Sequence, residues 1–129
     1  MTDAELLEEV KRHWEHWAEH LGLSPNWWLD FKIDDALSNR MEMRFTGAGY
    51  QRVVLAVAPN VSDDSEKDWP MALNVLHETC HILTQPCSWA AQMLLTRDAL
   101  KHFDEIEEGV TDTLASIIWR LHEASGCTR

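Results

Sequence analysis

The sequence predicts an α+β fold, because its apolar residues recur with two different periods along a chain of 129 residues. Between Thr2 and Gly22 they return every three or four positions, which places them on one face of an α-helix. From Leu29 to Ala58 they mostly alternate with polar residues, as in half-buried β-strands. Helical spacing then returns and continues almost to the C-terminus. With 45% apolar residues, we expect residues 1–129 to form a single domain with one core.

The first helix is predicted between Thr2 and Gly22. Thr2 or Asp3 can cap its N-terminus, and glycine is suited to the turn that ends a helix. Its predicted buried face consists of Leu6, Leu7, Val10, Trp14, Trp17 and Leu21. The helix also carries three histidines on one face, His13, His16 and His20. This pattern favours a solvated polar face over a metal site, since a surface helix needs polar residues on its outer side.

Three strands are predicted after this helix. The first two, Leu29–Ile33 and Met41–Phe45, alternate strictly, so each should bury one face. The third, Gln51–Ala58, contains a run that is apolar on both faces and should be covered on both. We predict that the three strands form a small antiparallel sheet with meander order.

The rest of the chain predicts a loop and further helices. Pro59–Asp68 is polar and has no apolar period, so we predict a loop there. A helix should begin near Trp69–Pro70, because proline is tolerated in a first turn, and end near Gln85–Pro86. A second helical stretch is predicted over Ser88–Leu100 and a final helix from about Phe103 to Ala124.

The final helix has apolar residues on opposite sides. One side consists of Ile106, Val110, Leu114, Ile117 and Leu121. The other side contains Glu108, Asp112, Ala115 and Trp119. This pattern predicts a helix packed between the core and the helix that ends near Gln85–Pro86, with Glu108 at least partly buried. Gly109 lowers helix propensity by roughly 1 kcal/mol relative to alanine, and its small size could permit close approach of a neighbour.

The helix after the loop contains His77-Glu78-Thr79-Cys80-His81, an H-E-x-x-H motif in an apolar segment. Histidines four positions apart lie one turn from each other, so both imidazoles can reach one Zn²⁺. Glu78 stands where it can address the water bound to that ion. Two imidazoles and a carboxylate in so apolar a segment favour a metal site over an exposed helix face.

Glu108 is the best candidate for a third zinc ligand, because catalytic zinc prefers three protein ligands and His₂Glu is a standard set. Asp112 lies one turn further along the same face. Its carboxylate could accept the second N–H of a ligating imidazole and so fix the ring tautomer. Two alternatives for the third ligand stay open, namely Cys87, if the helix ends at Pro86, and Asp112 itself.

The combination of His77-Glu78-x-x-His81 with Glu108-x-x-x-Asp112 resembles the gluzincin branch of the zincin metallopeptidases. In length the chain is more similar to the compact zincin-like metallopeptidases of bacterial and phage genomes. The resemblance implies a zincin-like fold, a zinc cofactor, peptide or protein substrates, and Glu78 as general base on a zinc-bound water. It also implies that the strand before the metal helix lines the cleft and can pair with an extended substrate. A well-covered core strand is an equally good interpretation of that segment.

Two further questions stay open at this point. The oxyanion of a peptidase needs stabilisation besides zinc, for which the candidates are Tyr50, His102, Arg120 and His122. The same residues also fit a protein that keeps the zincin fold and its zinc site for binding or regulation without hydrolysing a substrate.

Charge and composition limit the partners. A net charge of −11 opposes binding to nucleic acid and favours cationic peptides. No apolar run approaches the roughly 20 residues of a membrane span. Three cysteines, an odd number, fit reduced thiols better than a disulfide framework. We therefore expect a cytoplasmic protein that binds neither nucleic acid nor membrane, and the sequence predicts no oligomeric state.

Overall fold

The computed structural model describes residues 2–23, 27–45, 52–59 and 70–125. The chain divides into two compact units, Met1–Thr79 and Cys80–Thr128, which we call the N-terminal and C-terminal units. The predicted loop at Pro59–Asp68 lies almost entirely outside the described residues, as do Trp69 and Tyr50.

The elements in chain order are α1 (Asp3–His20), β1 (Trp28–Ile33), β2 (Met41–Phe45), β3 (Arg52–Val57), α2 (Met71–Leu94) and α3 (Arg97–Ala124). The division between the two units falls inside α2, so the N-terminal unit holds α1, the sheet and the start of α2. The C-terminal unit holds the rest of α2 and α3. This arrangement confirms the predicted α+β class, with an N-terminal helix and a three-stranded sheet.

Helix α1 begins and ends where its sequence predicts. The Thr2 side chain accepts a hydrogen bond from Glu5 N at 3.1 Å, and the Glu5 carboxylate accepts one from Thr2 N at 2.7 Å. This reciprocal capping box satisfies two N–H groups that have no partner within the helix. At the other end, Gly22 adopts a φ of 71°, in the left-handed region that glycine enters at low cost.

The sheet is mixed and has the order β1-β3-β2, so the predicted antiparallel meander is wrong. β1 pairs with β3 in parallel, with Leu29 opposite Val53, whereas β2 pairs with β3 in antiparallel, with Met43 opposite Leu55. Alternation of apolar residues indicates a strand but does not encode its neighbours or its direction, which explains the error. The apolar run on both faces of β3 fits its central place.

The central place of β3 also rules out a substrate strand at its edge. Both of its edges are hydrogen-bonded to neighbouring strands, so no extended peptide can pair with it. Val53, Leu55, Ala56 and Val57 are fully buried. Of the two interpretations of this segment, the core strand is confirmed.

The N-terminal unit is organised around Trp17, whose side chain is fully buried. Its indole Nε1 donates a hydrogen bond of 2.9 Å to the carbonyl oxygen of Ala72, at the start of α2. A buried tryptophan usually needs such an acceptor, because an unsatisfied indole N–H costs free energy. The fully buried apolar residues of this unit include Val10, Val53, Leu55, Val57, Met71, Val75 and Leu76.

Helix α2 is continuous through Pro86, although the sequence predicts its end there. A proline inside a helix removes one N–H donor and crowds the carbonyl four residues earlier, but it need not end the helix. The predicted stretch Ser88–Leu100 is consequently divided between two helices. α3 begins at Arg97, earlier than predicted, because Thr96 caps it by accepting a hydrogen bond from Ala99 N at 3.3 Å.

Helix α3 buries a different face from the one expected. Its buried positions are Thr111, Ala115 and His122. The apolar residues Ile106, Val110, Ile117 and Leu121 are instead exposed. The prediction of a helix covered on both apolar sides is therefore wrong for the part of the chain that the structure describes. Within that part, no helix is both long and apolar enough to cross a membrane.

Two glycines provide a test of this backbone, because alanine should act on them in opposite directions. Gly22→Ala should lower the free energy of unfolding by about 1 kcal/mol, since the left-handed conformation penalises a Cβ atom. Gly109→Ala should raise it by roughly 0.5–1 kcal/mol, because its added Cβ meets no described atom within 4 Å and alanine favours the helix. Urea unfolding followed by circular dichroism measures both changes.

Gly22→Asn is the matched control, because asparagine tolerates the left-handed region better than alanine, and it should lose less stability than Gly22→Ala. A stabilising Gly22→Ala substitution would contradict the positive φ.

Candidate metal centre

Helix α2 carries the H-E-x-x-H motif, and residues 71–80 of this helix are all buried. His77 and His81 lie four residues apart on the continuous helix, so their side chains leave it on the same side, one turn apart. The two side chains are 10% and 16% exposed. Both polar side chains are thus held where an unsatisfied atom is costly.

The Glu78 carboxylate is oriented by the sheet of the N-terminal unit. Its Oε1 accepts a hydrogen bond of 2.9 Å from Met43 N, and its Oε2 lies 3.7 Å from His77 Nε2. Ala58 N donates to Arg40 O, so in the antiparallel pair of β2 with β3 the N–H of Met43 points to the outer edge of β2. The edge strand thus uses a backbone donor to fix one oxygen of Glu78 and leaves the other facing an imidazole.

His81 is held by Glu107 within the C-terminal unit. His81 Nδ1 lies 3.0 Å from Glu107 Oε2, and the same oxygen accepts hydrogen bonds from Thr84 Oγ1 at 2.6 Å and Thr111 Oγ1 at 2.9 Å. A carboxylate can accept but not donate, so the proton of the bond to His81 belongs to Nδ1. The tautomer of the neutral ring is therefore the one that leaves Nε2 with a lone pair.

Glu107 is ionised at neutral pH despite its partial burial. Burial raises the pKa of this carboxyl, but the hydrogen bonds that it accepts from Thr84, Thr111 and His81 bring the pKa below its ordinary value. A negative charge is thereby kept beside Nδ1 of His81.

A second carboxylate lies at the other nitrogen of the same ring. His81 Nε2 is 3.3 Å from Glu108 Oε2, and the Glu108 side chain is 53% exposed. With Nδ1 protonated toward Glu107, a neutral His81 has no proton for Glu108, so a lone pair faces a carboxylate oxygen. Either a second proton or a metal ion is needed between them. Both atoms are good zinc ligands, and tetrahedral ligands at about 2.0–2.1 Å from zinc are roughly 3.3–3.4 Å apart.

The structure thus brings Glu108 to His81, as the sequence predicts, but it leaves Glu108 more exposed than expected. Asp112 is exposed on α3, and its place beside a ligating histidine stays a prediction. For His81, the carboxylate at Nδ1 is Glu107. Sequence analysis missed this residue, although the threonines that hold it stand at helical spacing, three positions after His81 and four after Glu107.

The cysteines fit a metal site less well. The Cys87 alternative requires a helix end at Pro86, but α2 continues and carries Cys87 roughly 9 Å along its axis beyond His81. Cys87 is exposed, whereas Cys80 is fully buried. Burial raises the pKa of the Cys80 thiol to about 12. Cys80 is therefore a protonated core residue at neutral pH rather than a thiolate ligand.

The histidines of α1 do not share one solvated face. His13 is buried, with Nε2 at 3.4 Å from Glu9 Oε1. His16 is half-buried and His20 is exposed, and His20 Nδ1 lies 2.8 Å from the carbonyl oxygen of His16. The predicted exposure is thus wrong for His13, whereas His20 is exposed as predicted.

Among the candidates for oxyanion stabilisation, the His102 side chain is 79% exposed, and its Nδ1 lies 4.0 Å from Glu105 Oε2. Arg120 is also exposed, whereas His122 is buried. Tyr50 lies outside the described residues. The geometry assigns this role to none of the three described side chains.

The bond between Met43 and Glu78 predicts different stabilities for two substitutions. Glu78→Gln keeps an oxygen acceptor, so its free energy of unfolding should stay close to that of the wild type. Glu78→Ala should lose about 1–3 kcal/mol, because it leaves a buried backbone N–H without its acceptor. Chemical unfolding of the metal-free proteins measures both, and equal stability of the two variants would show that the bond contributes little.

Comparison with protein-family models, with curated proteins and with solved structures finds no match for this chain.

Proposed function

We propose that this chain is a zinc-dependent metallopeptidase of the zincin-like type. His77, His81 and Glu108 hold the ion, and Glu78 is the general base. The observation that carries the proposal is the position of the His81 ring, which lies between the carboxylates of Glu107 and Glu108.

The ring between two carboxylates requires a positive charge. Protonation of both nitrogens would supply one, and so would a divalent ion bound at Nε2. A divalent ion at Nε2 satisfies the lone pair and the Glu108 carboxylate together. Glu107 meanwhile keeps its hydrogen bond to Nδ1, which is the usual arrangement of a metal-bound histidine.

His77 completes a His₂Glu set, since it leaves α2 one turn before His81. When bound, zinc would act as a Lewis acid that polarises a carbonyl oxygen and lowers the pKa of water. Three protein ligands would leave one coordination position for water or substrate, as a catalytic site requires and a structural site does not.

Glu78 is suited to proton transfer by its two different oxygens. The Met43 N–H holds Oε1, so the carboxylate cannot rotate without losing that bond. Oε2 is directed toward His77, where it can take a proton from an attacking water and pass it to the leaving amine. The substrate class that we propose is peptides or proteins, with a preference for cationic ones because the net charge is −11.

A second function, zinc binding without hydrolysis, is favoured by the same bond from Met43. The bond gives Glu78 a structural role at the edge of β2, so a glutamate at this position would be useful to a protein with no catalytic activity. Such a protein would keep the fold and the zinc for binding or regulation.

Zinc stoichiometry tests the proposed ligands. The purified chain should keep one zinc after dialysis, and His77→Ala or His81→Ala should each abolish it, because two remaining ligands bind zinc poorly. Glu108→Ala should weaken zinc binding by orders of magnitude, whereas Cys87→Ser should leave it nearly unchanged. Elemental analysis and competition with a chelator measure these effects.

The control variants are His102→Ala, which removes an exposed histidine outside the proposed site, and a His16→Ala/His20→Ala background, which removes two histidines of α1. Both should keep the stoichiometric zinc. Its retention in His77→Ala and His81→Ala would overturn the site, and a larger loss in Cys87→Ser than in Glu108→Ala would replace Glu108 with Cys87.

Hydrolysis is tested by Glu78→Gln, which keeps the size of the side chain and an oxygen for Met43 N–H but cannot accept a proton at neutral pH. Zinc content should persist, while cleavage should fall by ~10²–10⁴-fold if general-base assistance is the main term lost. A library of lysine- and arginine-rich reporter peptides, analysed by mass spectrometry, provides the rates. Equal cleavage by both proteins would indicate a contaminating protease or another base. No cleavage by the zinc-loaded wild type would favour the non-enzymatic function.

A further inference from the structure

One carboxylate oxygen, Glu107 Oε2, is the common acceptor of three side chains in the C-terminal unit. The donors are Thr84 Oγ1, Thr111 Oγ1 and His81 Nδ1, at 2.6, 2.9 and 3.0 Å. Hydrogen bonds to a charged acceptor are roughly twice as strong as those between neutral groups. Glu107 is therefore the centre of a charged network rather than a solvated surface acid, and its side chain is only 15% exposed.

The two threonines hold Glu107 from two helices. Thr84 lies on α2, one turn after His81, and Thr111 lies on α3, one turn after Glu107, where it is fully buried. Each hydroxyl has one proton to donate. The short distances from both hydroxyls to Glu107 Oε2 indicate that each hydroxyl donates its proton to this oxygen. Each hydroxyl also has a backbone carbonyl nearby: Thr84 Oγ1 lies 3.2 Å from His81 O, and Thr111 Oγ1 lies 2.9 Å from Glu107 O. The carboxylate cannot turn away from His81 without disturbing bonds to both threonines.

We propose that Glu107 is a positioning residue that selects the His81 tautomer with an unprotonated Nε2 and aims this atom at the metal position beside Glu108. This inference rests on the proposed zinc site. It gives His81 a different helper from Asp112, which the resemblance to gluzincins suggests. It also explains why Glu107 and Glu108, although adjacent in sequence, have different roles: Glu107 contacts the ring at Nδ1, and Glu108 lies at Nε2.

The tautomer can be read from the metal-free protein, so this test does not depend on activity. Long-range ¹H–¹⁵N NMR spectra of the histidine rings, recorded at alkaline pH, should show His81 protonated at Nδ1 in the wild type. In Glu107→Gln, which removes the charge but keeps the shape, the population of the other tautomer should increase. Glu105→Gln removes a 65% exposed carboxylate two positions away and should leave the His81 signals unchanged.

Zinc affinity provides the second readout. Glu107→Gln should weaken zinc binding about 10- to 100-fold, the effect typical of removing the partner of a metal-bound histidine. Glu105→Gln should bind zinc as the wild type does. Thr84→Val and Thr111→Val keep the charge of Glu107 and remove one anchor each, so both should weaken zinc binding, but less than Glu107→Gln. If Glu107→Gln does not fold, the zinc affinities of these two threonine variants still test the proposal.

The outcomes separate this inference from the zinc site itself. If the wild type binds zinc and Glu107→Gln shows the same zinc affinity and the same His81 tautomer, the proposed role of Glu107 is overturned. The proposed zinc site would be unaffected by that result. A loss of stability in Glu107→Gln with neither readout changed would also overturn it, since a purely structural link between α2 and α3 has that effect. Absence of zinc binding by the wild type would overturn the proposed function, and this inference with it.

Discussion

A buried helix that carries two histidines and a glutamate must provide a partner for each desolvated polar atom, because an unsatisfied one costs about 1–3 kcal/mol. Much of the fold near the motif meets this requirement. The edge strand β2 offers the Met43 N–H to Glu78, and α3 brings Glu107 to His81 within the C-terminal unit. The sheet order β1-β3-β2 contributes to this because it places β2 at an edge. Only an edge strand has backbone donors that are not used by a neighbouring strand, and the Met43 N–H is one of them.

The elements of the fold were predictable wherever a local signal defines them. Thr2 and Glu5 form the capping box that starts α1, and strict alternation located β1 and β2 almost to the residue. Strand order was not predictable, because alternation is the same for a parallel and an antiparallel neighbour. The helix end at Pro86 was wrong for a related reason: a proline removes one hydrogen bond, and favourable packing on either side can outweigh that loss.

The candidate site shows the same division between local and distant information. His77, Glu78 and His81 are close in sequence, so helix geometry alone brings them to one side of α2. Glu108 was found from the preference of zinc for a third ligand. Glu107 was missed because its function depends on Thr84, which lies on another helix. A sequence does not show which of two adjacent glutamates turns toward a given imidazole.

The exposed apolar residues of α3 affect how the protein must be handled. Ile106 and Leu121 are about two-thirds exposed, at 65% and 66%, and Val110 and Ile117 are about half exposed. At neutral pH a net charge of −11 keeps molecules apart by electrostatic repulsion. As carboxylates and histidines take up protons in acid, this repulsion disappears while the apolar surface remains, so the colloidal stability of the protein depends on an alkaline or neutral buffer of low salt.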